Sequence, residues 1–215
     1  MKLYTTALSP FSAKVRAALY EKGLAFEPIE LAWRPTGFLA KPPEMLRINP
    51  RGQVPVLIDG ELALYDSTVI LEYLEDRFPS PPLAPREPAA RAICRQLEDL
   101  GDELTSGPSA SLIDELWKKP AGEARDAARI KQAHEGMEHA YARLERQLDG
   151  RDWLCGAFGV ADIACYVPVS FAGFVGHGPG EAHPRVRDWL ARAGERPSIA
   201  RVRQEMLDAV KALAG

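Results

Sequence analysis

The sequence is short of the features that mark membrane, secreted, metal-binding or nucleic-acid-binding chains. No apolar run approaches the roughly 20 residues a spanning helix needs. The opening Met-Lys-Leu-Tyr-Thr-Thr-Ala lacks the apolar stretch of a secretion signal, so the expected location is the cytoplasm, with no membrane partner. Cysteine is scarce: Cys94, Cys155 and Cys165 are odd in number and lack metal or redox spacing, which suits a reducing compartment better than a disulfide framework. The four histidines, His134, His139, His177 and His183, show no ligand spacing and join no acidic cluster, so no metal is expected. Basic residues are not in excess either. Lys and Arg number 27 against 30 Asp and Glu, a net charge of −3, and no basic run appears, which argues against a nucleic-acid partner. The arginines between Arg185 and Arg203 alternate with apolar positions and read as a solvated helix face.

What is present describes an ordinary globular chain: 46% hydrophobic and 27% charged residues over 215 positions, enough for one large or two small domains. The organising stretch runs from Asn49 to Phe78. Val56 to Ile58 form a short apolar strand, Asp59-Gly60 a hairpin signal, and Leu62 to Tyr65 the returning strand. Asp66-Ser67 then opens a helix whose Ile70, Leu74 and Phe78 recur every four residues. Upstream, Lys2 to Thr5 reads as a strand, Ser12 to Lys22 as a helix, and Phe26 to Leu31 as a strand that Pro28 sends to a sheet edge. Residues 32–48, rich in Pro and Gly, read as loop with at most a short helix after Pro43. Five prolines between Pro79 and Pro88 mark a linker. Beyond it the periodicity is helical at 89–104, 123–148, 160–174, 186–193 and 199–213, with Met137, Tyr141, Leu144 and Leu148 the clearest stripe. The expected organisation is an α/β domain over 1–78, the linker 79–88 and an all-α domain over 89–215.

Three places carry candidate chemistry. A Pro just inside an apolar strand removes a ladder donor; a cis Val54-Pro55 bond that turns the backbone of Val54 toward a ligand explains it, and so does a plain strand start. At Asp66-Ser67 a helix start offers free N–H groups to a carboxylate while Asp66 is placed to hold an ammonium, so the α-amino acid end of a ligand fits; ordinary capping fits as well. Ser9-Pro10 reads as an N-cap followed by Pro at the first helical position.

Taken together, Asn49-Pro50-x-Gly-Gln-Val-Pro-x-Leu followed by Asp-Ser-x-x-Ile-x-x-Tyr-Leu resembles the glutathione-binding half of the glutathione S-transferase superfamily, and the likeness covers the length and order of the chain. The resemblance implies a thioredoxin-like N-terminal domain (βαβ-α-ββα) followed by an all-helical C-terminal domain. It assigns the cysteinyl part of glutathione to the backbone of Val54 and the γ-glutamyl end to Asp66 and Ser67. The segment Ser9-Pro10-Phe11-Ser12 stands where thioredoxin-like proteins carry Cys-Pro-x-Cys, so disulfide chemistry there is excluded, and Ser9 matches the serine with which zeta- and theta-like classes activate the thiol. Ser12 is a second candidate toward the same sulfur or simply a first-turn residue; Gln53 and the 38–41 region, with Lys41, are candidates for the glycyl end. Gly159-Val-Ala-Asp162-Ile163 resembles the family's capping motif with Gly in the Ser/Thr place, which makes Asp162 structural.

The resemblance therefore implies a transferase joining glutathione, as co-substrate, to a small hydrophobic electrophile, in a homodimer. Residues 104–117 and 166–174 are candidate linings for the electrophile. A glutathione-dependent isomerase or peroxidase of the same fold is the near alternative, although zeta-like isomerases carry Ser-Ser-Cys where this chain has Ser9-Pro10-Phe11. A non-catalytic member that binds ligands or a protein is the alternative from another class.

Overall fold

The computed structural model describes residues 1–34, 37–38 and 41–214, in which the chain divides into two compact units, Met1–Leu83 with Pro197–Gly215, and Ala84–Arg196. The first unit begins with β1 (Lys2–Thr5), α1 (Pro10–Glu21) and β2 (Glu27–Glu30), with β2 parallel to β1. A two-residue ribbon, β3 (Trp33–Arg34) with β4 (Gly37–Phe38), and the short α2 (Pro43–Ile48) follow. The hairpin of β5 (Val56–Asp59) and β6 (Leu62–Tyr65) then leads into α3 (Ser67–Arg77). The main sheet has the order β2-β1-β5-β6, with β5 antiparallel to β1. Pro28 lies on the edge strand β2, where its missing N–H interrupts no central ladder. Gly60 takes φ of 62° in the two-residue turn, a conformation that favours glycine.

Strand alternation builds the core. Tyr4, Val56 and the neighbouring Val54 cluster with Leu31 and Met45, whereas Leu3 and Leu57, paired across the strands, point to the opposite face and are fully buried.

The second unit is helical: α4 (Pro88–Ser106), α5 (Pro108–Ile113) continuing into a π-helical turn at Asp114–Lys118, α6 (Ala127–Gln147), α7 (Val160–Phe174) and α8 (Pro184–Gly194). Met137, Tyr141, Leu144 and Leu148 are buried, as their spacing predicts. Gly101 permits the close crossing of α4 and α7; a Cβ there would meet the backbone carbon of Ala164 at 2.6 Å. Asp162 ties the start of α7 together. Its carboxylate accepts from the N–H groups of Leu154 and Gly159, both at 3.0 Å, and from the indole of the fully buried Trp189 at 2.8 Å. Gly159 has no side chain to cap with, so only the carboxylate half of a capping box exists.

Two features depart from the periodicity. The helix and π-turn over 108–118 have no clean 3.6-residue stripe in the sequence. The last helix, α9 (Pro197–Ala214), belongs to the first unit and not to a helical domain running through to 215. It is fastened to α1, where Tyr20 donates to Glu205 at 2.7 Å and Ser198 donates to Glu21 at 2.5 Å. The proline-rich stretch also starts inside the first unit. Buried Lys22 donates to the carbonyls of Phe78 and Pro81 at 2.8 and 2.9 Å and pairs with Glu75 at 2.7 Å, while Glu75 accepts from the N–H of Leu83.

Candidate functional site

Sheet register brings the candidate residues to one end of the first unit. Tyr4 pairs with Val56, and Val56 with Tyr65, so the end of β1, the start of β5 and the end of β6 coincide. Ser9 follows β1, Val54 precedes β5, and Asp66 follows β6; α1 and α3 therefore both begin at this end of the sheet. Two helix N-termini, each heading more than two turns, begin at this end, and each carries partial positive charge.

Ser9 is the N-cap of α1, with Pro10 at the first helical position. Its Oγ accepts from the N–H of Ser12 at 3.2 Å, which leaves the hydroxyl proton of Ser9 to be donated elsewhere. Ser9 is partly exposed, whereas Ser12 is fully buried and its own Oγ has no hydrogen-bond partner among the described residues. Of the two serines, Ser9 is the more accessible.

The Val54-Pro55 bond is cis. Val54 buries its side chain in the core, and β5 begins only at Val56, so the backbone of Val54 lies outside the ladder. The turn ahead of it is organised by Asn49, the first residue of the Asn49-Pro50 motif. Buried Asn49 donates from Nδ2 to the carbonyl of Gln53 at 2.9 Å, accepts at Oδ1 from the N–H of Arg51 at 3.2 Å, and offers its carbonyl to the N–H of Gly52 at 2.9 Å. An Asn four residues before a carbonyl that must be held is the signal that could have found it. The side chain of Gln53 is exposed. Lys41 lies over Gly52, where a Cβ would meet its Cδ at 2.7 Å. Leu39 and Ala40, the middle of the 38–41 region, lie outside the described residues.

Asp66 has φ of 77° and ψ of 126°, the one positive φ among described non-glycine residues. Exposed Asp66 caps α3: Oδ1 accepts from the N–H of Thr68 at 3.0 Å and of Val69 at 3.3 Å. Ser67, the first residue of α3, is buried.

The glutathione S-transferase N-terminal domain model matches residues 3–82, and the C-terminal domain model residues 127–192. The chain belongs to the glutathione S-transferase family. The maleylacetoacetate isomerase of Pseudomonas aeruginosa is 32% identical, over 93% of this chain and 93% of its own length. FtsZ-localized protein A of Caulobacter vibrioides is 31% identical, over 91% of this chain and 87% of that protein. Among solved structures, the theta-class glutathione S-transferase of Xanthomonas axonopodis pv. citri with glutathione bound superposes with a TM-score of 0.79 at 28% identity, covering 93% of this chain and 95% of that one. As in other members of the glutathione S-transferase family, a four-stranded sheet with helices is followed by a helical region. No described helix is long and apolar enough to cross a membrane.

Proposed function

We propose that this protein binds glutathione at the shared sheet end and joins it, through its thiolate sulfur, to a small hydrophobic electrophile as a thioether, in the cytoplasm and as a homodimer. The observation that carries the reading is that two helices start at one end of the sheet, with the accessible Ser9 hydroxyl at one N-terminus and Asp66 at the other. The backbone of Val54 pairs with the cysteinyl part. Asp66 caps α3 through Oδ1 and offers Oδ2 to the ligand ammonium, Ser67 and the helix start take the α-carboxylate, and Gln53 with Lys41 meets the glycyl end. Ser12 serves through its N–H, which holds Ser9.

The reaction needs a thiolate. A free cysteinyl thiol ionises near 8.5, and lowering that by two units requires about 2.7 kcal/mol. A hydroxyl donating to an anion contributes about 1.5–3 kcal/mol and a helix N-terminus about 0.3–1 more, so Ser9 and α1 together suffice. Ser9 acts as a donor to sulfur and not as a base.

Calorimetry with glutathione, an ultraviolet titration of the bound thiolate, and a panel of aryl halides, epoxides and enones test the proposal together. A bound thiol titrating well below its solution value, with conjugation of one class, supports it; a bound thiol at its solution value refutes the transferase reading. The second reading is a partner-binding member, favoured by the likeness to FtsZ-localized protein A. Co-sedimentation with FtsZ polymers by a protein that leaves the thiol unperturbed would establish that reading instead.

A further inference from the structure

The backbone of Ala7, two residues before Ser9, is held at its N–H and at its carbonyl by charged side chains. Its N–H donates to Glu30 Oε1 at 2.6 Å, and its carbonyl accepts from Arg16 Nη2 at 3.1 Å. Arg16 also donates from Nη1 to Thr5 Oγ1 at 3.0 Å, so one guanidinium spans the end of β1 and the loop that leads to Ser9. The third nitrogen, Nε, lies 3.1 Å from Glu205 Oε2 on α9, an ion pair whose angle misses that of a hydrogen bond. The other oxygen of Glu205 accepts from Tyr20 at 2.7 Å. Arg16 is 3% exposed.

A cation buried this deeply is retained only where its partners compensate for lost water. Burial lowers the pKa of Arg16, and Glu205, then Glu30, oppose that shift, so the group stays charged at neutral pH. The partners come from β1, β2, α9 and the loop itself, so their common effect is to fix the loop. Within that loop the N–H of Ser9 donates to the carbonyl of Thr6 at 3.1 Å, so a shift of Ala7 carries Ser9 with it.

We infer that Arg16 is a positioning residue for Ser9: braced by Glu205 of the last helix, it holds the Ala7 carbonyl and so sets where the Ser9 hydroxyl points. The inference rests on the reading of Ser9 as the thiol-activating group. It also gives α9 a function, since Glu205 of that helix is ion-paired with the residue that holds the loop. The guanidinium sets three separate nitrogens against the loop, β1 and α9; a lysine carries all its donors on one nitrogen and does not reproduce that spread.

The test compares the full-length parent with Arg16→Lys, which keeps the charge and loses the fork, and with Glu205→Gln, which leaves Arg16 in place and removes its counter-charge. Two quantities are read: amide hydrogen exchange at Ala7 and Ser9, which needs no ligand, and the pKa of the bound glutathione thiol with kcat and KM. In Arg16→Lys the two amides should exchange about tenfold faster or more, the thiol pKa should rise, and kcat at neutral pH should fall by a similar factor with KM nearly unchanged. Glu205→Gln should move the same quantities less, and carries the test by itself if Arg16→Lys does not fold. A folded variant with a lower melting temperature but parental loop exchange, thiol pKa and kcat would reduce Arg16 to a structural residue and overturn the inference. The parent is measured first. If its own bound thiol is not depressed, the assignment of Ser9 is what has failed, and the positioning role falls with it.

Discussion

At Asp66 a backbone conformation suited to glycine is held by a residue with a β-carbon, at φ 77° and ψ 126°, which costs roughly 1–3 kcal/mol. If helix capping were the whole role of Asp66, Gly would serve nearly as well, since replacing a good cap by Gly costs only a few tenths of a kcal/mol. Asp66→Gly therefore separates folding from binding. Stability to urea should stay within about 1 kcal/mol of the parent or rise, while calorimetric affinity for glutathione falls about tenfold or more through loss of a charged hydrogen bond. Unchanged affinity would remove Asp66 from the γ-glutamyl site. At the other helix, Ser9→Ala should return the bound thiol toward its solution value of about 8.5 and cut neutral-pH turnover roughly tenfold or more, with affinity much less affected. Ser12→Ala should leave that pKa nearly in place, because the Ser12 hydroxyl is fully buried and only its N–H touches Ser9. A low pKa that survives in Ser9→Ala and disappears in Ser12→Ala would exchange the two roles.

Elements with a local signal were legible in the sequence, and those defined by distant contacts were not. The β5–β6 hairpin was announced by Asp59-Gly60, the start of α3 by Asp66-Ser67, and α6 by a four-residue stripe, because in each case neighbours in sequence satisfy one another. The membership of α9 was not, since its ties are Glu205 to Arg16 and Ser198 to Glu21, pairs with no periodic trace. The brace on Ala7 was invisible for the same reason. Asp162 lies between these cases: its place in a capping motif could be read, its bond to Trp189 could not. Burial pushes the pKa of Asp162 up to about 6 although N–H donors from Leu154, Trp189, Gly159 and its own backbone pull it down. Between the ordinary carboxylate value of 3.8 and about 6 the folded state therefore holds a proton that the unfolded state has released. By linkage this residue's contribution is greatest below 3.8 and is lost as pH rises through about 6, on the order of 3 kcal/mol. Asp162→Asn lacks this titration and turns one N–H group toward a donor. Its cost, measured by denaturant unfolding, should be larger near pH 4 than near pH 7, and an equal cost at both would mean that folding does not raise the pKa of Asp162.

On the scale of the whole molecule, the sheet leaves one strand in need of a cover. β6 ends the order β2-β1-β5-β6, and its residues Leu62-Ala63-Leu64-Tyr65 include neither a charge nor a proline to discourage edge pairing. Leu62 and Tyr65 are 41% and 42% exposed, and Val69, one turn into α3, is 49% exposed. Apolar groups gathered at an open edge mark an interaction surface more than a solvated one. A second copy of the chain is the partner that the family resemblance implies, and a two-fold axis would set this patch against itself. The parent should sediment at twice the chain mass at micromolar concentration. Val69→Glu combined with Tyr65→Glu places like charges across such an axis and should shift the species to the mass of one chain, with helical circular dichroism retained because neither side chain is in the core. A parent that sediments as a single chain would remove the homodimer. A double variant that remains dimeric would leave the dimer standing and move its interface away from β6 and α3.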